Sequence, residues 1–161
     1  MIAGPELWEL RLGVYATDDE LRHLLEKARD LLGRRLSNWM IDGFDADAET
    51  EPGIEHDEPV EPMSVAQLYD ELPSQWRTEH PGMDPDGRSV FELRAGVLAE
   101  KDRAEQVLDE LTRLLCPDPV HSGPCPIPWS SSAIGTDADD DTYRNYLERH
   151  YGRLRRTGSG S

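Results

Sequence analysis

At 161 residues, with 33 acidic against 17 basic side chains, the chain carries a formal net charge of -16, which repels phosphate backbones and argues against direct nucleic-acid binding through a basic stripe. The length suits one domain with a real core rather than two. No apolar run reaches 18 residues, and MIAGPELWEL has neither a basic leader nor an apolar centre, so no membrane span and no signal peptide are expected, and the localisation is read as cytoplasmic.

In chain order, Leu7 to Ala16 alternates Trp8, Leu10, Leu12 and Val14 with Glu9, Arg11, Gly13 and Tyr15, the period of a strand with one buried face. Thr17 stands three residues before Glu20 in TDDE, a capping box with Asp18 and Asp19 at the positive end of the helix dipole. Leu21, Leu24, Leu25, Ala28, Leu31 and Leu32 then form one apolar stripe, and Gly33 is in position to end the helix.

The same pattern returns later. Leu7 to Gly33 and Val90 to Cys116 share ten identities in 27 positions when the chain is slid by 83, which reads as an internal duplication. Each copy is a strand and a helix, and each needs a further strand to satisfy its backbone. Leu36 to Phe44 and Ile127 to Ile134 are the candidates, the second restricted to a sheet edge by Pro126 and Pro128.

Two βαβ units of this kind predict an α+β ferredoxin-like sandwich: a four-stranded antiparallel sheet of order 4-1-3-2 with two helices on one face. One domain over residues 1–156 is expected, with repeat units at about 7–44 and 90–134. An acidic insertion at 45–62 and a helix at 64–79 lie between them, a C-terminal helix spans about 141–156, and 157–161 form a disordered tail.

Asp45 to Pro62 holds eight carboxylates, three prolines and no Lys or Arg, the composition of a solvated loop. Ser64 and Gln67 make a second capping box, so Val65 to Leu72 is expected to be helical until Pro73 interrupts it, with Trp76 packing back onto the core. After TDADDD, the apolar positions Tyr143, Tyr146, Leu147, Tyr151 and Leu154 follow at helical spacing, with Arg149, Arg153, Arg155 and Arg156 near the end.

The central strands are expected side by side and antiparallel. Opposite charges then select a register that pairs Glu9 with Arg94 and Arg11 with Glu92, and sets Leu7 over Gly96 and Val90 over Gly13. Glu9, Arg11, Tyr15, Glu92 and Arg94 on that open sheet face, together with Glu55, Asp57 and Glu58 of the insertion, form the candidate interaction surface. The open face is also the candidate contact for a homodimer.

Chemistry-bearing motifs are few. Cys116, His121 and Cys125 have soft ligand types at C-x4-H-x3-C spacing, three of the four ligands of a structural zinc site; Asp118 or His80 is the candidate fourth. The competing reading makes Cys116 the last apolar residue of its helix, followed by a rigid Pro-rich turn. Asp137 to Glu148 has acids at calcium-loop positions but Thr142 where the turn needs glycine, which favours an Asp-rich helix start. No phosphate-binding glycine loop, HExxH or nucleophile elbow occurs.

The expectation is a non-enzymatic acidic module that binds a protein with a basic surface, as an inhibitor, immunity protein or regulatory subunit. Two alternatives stand beside it. One is a small-ligand or enzymatic domain with Trp8, Trp39, Trp76 or Trp129 lining a pocket, and the other a zinc-stabilised module. Two Lys against 15 Arg, with abundant Ala, Gly, Pro and Asp, match the coding bias of a GC-rich bacterium.

Overall fold

The structure is a computed structural model of the chain and describes residues 4–49, 54–55, 58–59, 63–115, 127–135 and 141–157. Its first half runs β1 (Glu6–Ala16), α1 (Asp18–Arg35), β2 (Trp39–Phe44), a short ribbon of β3 (Ile54–Glu55) and β4 (Glu58–Pro59), α2 (Val65–Leu68) and α3 (Glu71–Glu79). The second half runs β5 (Ser89–Ala99), α4 (Lys101–Leu115), β6 (Trp129–Gly135), α5 (Asp141–Tyr151) and α6 (Leu154–Thr157). Among the described residues no helix is long and apolar enough to cross a membrane.

Local signals act where they were read. The Thr17 hydroxyl accepts from the Glu20 amide at 3.2 Å while the Glu20 carboxylate accepts from the Thr17 amide at 2.9 Å. Ser64 and Gln67 make the same reciprocal pair at 3.2 and 2.9 Å. Helix ends are less faithful to the sequence. α1 passes Gly33 and continues to Arg35, with the Leu36 amide donating to Leu32 O, because Arg34 and Arg35 compensate the dipole and the last turn has its backbone bond. Pro73 breaks nothing: the chain leaves the helical path at Tyr69 and Asp70, and Pro73 falls in the first turn of α3, where a missing N–H leaves no intrahelical bond unmade.

The four-stranded antiparallel sheet has the order β2-β5-β1-β6, which is the expected order seen from its other end. Each pairing joins one half of the chain to the other: β2 to β5, β5 to β1, and β1 to β6. On one face Trp8, Leu10, Leu12 and Val14 meet Phe91, Leu93, Ala95 and Val97, closed over by Leu24, Ala28, Leu31 and Leu32 of α1 and Ala104, Val107, Leu111 and Leu115 of α4. Burying such large side chains stabilises by about 1.5–3 kcal/mol each.

The second face is not open. Val65, Tyr69, Leu72 and Trp76 of the α2–α3 segment bury Tyr15 and Val90, and Tyr146, Leu147, Tyr151 and Leu154 of the α5–α6 segment bury Leu7. Helices therefore cover both faces, which corrects the expectation of helices on one face alone. These two covering segments also correspond. Val65, Tyr69 and Leu72 stand 82 residues before Leu147, Tyr151 and Leu154, and all six are buried. In both, the helix breaks at or just after the tyrosine and resumes at or just before the leucine.

Register differs from the charge-based expectation by two residues. Arg11 lies opposite Arg94, Glu9 opposite Gly96, and Gly13 opposite Glu92. A shift of two preserves which face each side chain occupies, so the separation of apolar and polar faces survives. The opposite-charge pairs form instead along each strand, Glu9 with Arg11 and Glu92 with Arg94. The glycines are covered not by Val90 and Leu7 but by tyrosine rings: Tyr69 lies on Gly13 and Tyr151 on Gly96, so close that a Cβ on either glycine would overlap the ring. Placing each carboxylate opposite a glycine leaves room for the ring whose hydroxyl the carboxylate accepts.

Gly13→Ala and Gly96→Ala are therefore each expected to cost about 1–3 kcal/mol, the range for overpacking a filled site. Gly4→Ala, with nothing within 4 Å of the new Cβ, is expected to leave stability unchanged. Urea unfolding of the three variants checks this.

Candidate functional site

Four charged residues at the centre of the sheet form the densest polar cluster among the described residues. Glu9 and Glu92 are 0% exposed, and Arg11 and Arg94 are 8% and 9% exposed. Their placement follows from strand alternation, since residues two apart share a face. An isolated charge in such surroundings would be costly, so each must find partners.

Those partners come from the covering segments. On one side the Glu9 carboxylate accepts from Arg11 Nε and from the hydroxyls of both Tyr146 and Tyr151, and Arg11 Nη2 reaches Tyr146 Oη at 3.4 Å. On the other, Glu92 accepts from Arg94 Nε and from the Tyr69 hydroxyl. Arg94 also donates to the Glu49 carbonyl at 3.2 Å and stacks over Phe44 with its Cζ 3.9 Å from the ring centre. Arg11 and Arg94 face each other across the strands, yet each guanidinium is held by the carboxylate of its own strand.

Burial raises the pKa of Tyr69, Tyr146 and Tyr151, and the adjacent Glu92 or Glu9 charge and hydrogen bond push in the same direction. Burial opposes the charge of Arg11, but the Glu9 charge and hydrogen bond, helped by Tyr146 and Glu92, outweigh it and raise its pKa. The three phenols thus remain donors and the guanidinium remains charged. Each oxygen of both carboxylates accepts a hydrogen bond and both side chains are shielded from solvent, which suits them to hold the sheet to its cover.

Glu9, Arg11, Tyr15, Glu92 and Arg94 are accordingly buried, which corrects their expected place on an exposed interaction surface. The sheet face expected to be open to a second copy is occupied by the chain's own helices. Glu55 and Glu58 pair in the β3–β4 ribbon. Asp57 lies outside the described residues, as do Cys116, His121 and Cys125. Among the described residues no group of three or more His, Cys, Asp or Glu is placed to hold a metal ion.

The tryptophans do not line a pocket together. Trp8 is in the main core and donates to Ala99 O at 3.2 Å, and Trp39 and Trp129 pack at its margin. Trp76 lies under the second face, edge-on to Tyr15 at 6.1 Å and stacked on His80 at 4.6 Å. An open cavity of about 320 Å³ sits at one end of the sheet between Pro5, Arg35, Leu36, Asn38, Glu100 and Arg103. Its polar groups are of mixed sign, and Arg35 is engaged by Glu110 at 2.8 Å, so no set of groups converges on a single ligand there.

The three tyrosines were the residues missed from sequence. The available signal was weak: between VAQLYDEL and LERHYGRL only the tyrosine and the last leucine are identical, and the spacing is 82 rather than 83. No protein-family model matches the chain, and no curated protein matches it.

Two outcomes follow for the buried layer. Glu92→Leu strands Arg94 and the Tyr69 hydroxyl and is expected to cost about 3–5 kcal/mol, whereas adding Arg94→Met is expected to recover part of that loss; chemical denaturation of both variants decides. Below pH of about 10 the three phenols are protonated folded or unfolded and their stabilisation is complete. Above it the unfolded chain loses protons that the folded chain keeps, so stability falls as pH rises. In an ultraviolet alkaline titration, Tyr69, Tyr146 and Tyr151 are expected to ionise only together with loss of circular dichroism.

Proposed function

We propose that this protein is a non-enzymatic acidic module that binds a protein partner with a basic surface, acting as an inhibitor, immunity protein or regulatory subunit. The observation that carries the reading is the division of charge. The four ion-pairing residues inside the sheet are two Glu and two Arg, of formal net charge zero. They cancel, so the whole excess of -16 lies outside that layer. A field of this size speeds encounter with a basic partner and disfavours acidic ones.

The architecture is read in the same proposal as two copies of a βαβα unit, arising by duplication of a ferredoxin-like frame whose last helical segment folds over the second sheet face. Three observations support this: the ten identities at 83, the matched buried residues at 82, and the pairing of Tyr69 with Gly13 and Tyr151 with Gly96.

The test is capture on immobilised full-length protein at low salt, followed by reconstitution with the purified captured chain. A basic chain that binds stoichiometrically and is released near 1 M salt, where the Debye length falls to about 3 Å, is the expected result. Retention of nothing basic at low salt overturns the reading.

A further inference from the structure

Every pairing in the four-stranded sheet crosses between the two halves of the chain, β1 to α3 and β5 to α6: β2 lies with β5, β5 with β1, and β1 with β6. The buried hydrogen bonds cross in the same way. Tyr69 of the first half donates to Glu92 of the second, while Tyr146 and Tyr151 of the second donate to Glu9 of the first. Trp8 Nε1 donates to Ala99 O at 3.2 Å, and Arg35 pairs with Glu110 at 2.8 Å. Neither half completes this sheet alone, and each is the complement of the other.

The halves are joined by residues 80–88, HPGMDPDGR. Hydrogen bonds within this link are local turns: Met83 N donates to His80 O at 3.2 Å, Arg88 N to Pro85 O at 3.2 Å, and Asp86 N to Asp84 Oδ1 at 3.0 Å. The link folds back through three residues of positive φ, Gly82 at 78°, Asp86 at 54° and Gly87 at 81°. All three are exposed. Opened out, residues 80–88 span about 30 Å, and opening sacrifices no strand pairing and no tyrosine hydrogen bond provided that a second copy supplies them.

We infer that a second copy of this chain is a partner, taken by exchange of halves: the first half of each copy pairs with the second half of the other, with residues 80–88 as the hinge. Each lobe of that dimer repeats the sheet, the two buried ion pairs and their tyrosine donors. Two effects set the balance. Tethering holds the halves at an effective concentration of about 1 mM, which favours the closed monomer in dilute solution. The closed link must keep Asp86 in the left-handed region, a conformation the open link is free to leave. The dimer therefore gains as the chain concentration approaches that of the tether, or as the link is prevented from closing.

The test is refolding of the full-length protein from urea under reducing conditions at about 10 μM and about 1 mM. An equal mixture of isotopically heavy and light chains is used, read by size-exclusion chromatography and native mass spectrometry. Expected are monomer at the lower concentration and, at the higher, a dimer of mixed mass that persists on dilution because separation requires unfolding. Its amide spectrum is expected to match the monomer in β1 and β5 and to differ at residues 80–88. Gly82 and Gly87 have nothing within 4 Å of an added Cβ, so Gly82→Pro with Gly87→Pro acts through the backbone: proline is held at φ of about −65° and cannot close the link. This variant is expected to dimerise at a concentration about tenfold lower than the unsubstituted chain. Monomer alone at both concentrations overturns the inference, as does a dimer that falls apart at once on dilution, the behaviour of a surface contact. A proline variant that stays monomeric, or that fails to fold at every concentration, overturns it too.

Discussion

The structure depends on two buried ion pairs that lie along neighbouring strands. Glu9 with Arg11 and Glu92 with Arg94 occupy the middle of a sheet face, where a strand pattern of alternating residues has no alternative but to put them together. Charges in that position require either water or a complete set of hydrogen-bonding partners. This chain supplies partners. Its two covering segments bring three tyrosine hydroxyls onto the carboxylates, and their leucines, valine and tryptophan exclude solvent around them.

Much of the remaining geometry follows from that requirement. Tyr69 and Tyr151 reach their carboxylates by lying over Gly13 and Gly96, where a Cβ would overlap the ring. The carboxylates must then lie opposite the glycines, which sets the register and brings Arg11 against Arg94. Both helical covers break beside their tyrosine, at Tyr69–Asp70 and at Gly152–Arg153. The break turns the chain so that the residues before and after it, Val65 and Leu72 or Leu147 and Leu154, are buried with the ring.

The same arrangement bears on function through what it leaves outside. Because the interior charges balance one another, the acidic excess lies outside that layer, and it is not spread evenly along the chain. The C-terminal segment is rich in arginine while the stretch from β2 onward is rich in carboxylates. That C-terminal segment crosses the second sheet face, with Ile134 of β6 packed against it and Arg153 reaching Met40 Sδ of β2 at 3.4 Å.

Local, short-range properties were legible in the sequence alone. Thr17 with Glu20 and Ser64 with Gln67 are capping boxes because three residues of spacing bring each pair into contact whatever the rest of the fold does. Alternation identified β1 and β5 and assigned every one of their side chains to a face, and the repeat at 83 anticipated that these strands are central neighbours. The tertiary structure alone decided the register, because a shift of two residues leaves the facial pattern unchanged and so leaves no trace in periodicity. It also decided that the polar face is interior. Glu9 and Arg11 read as solvated when only their own strand is considered, and they become buried because Tyr146 and Tyr151, more than 130 residues away in the chain, offer hydrogen bonds that replace those of water.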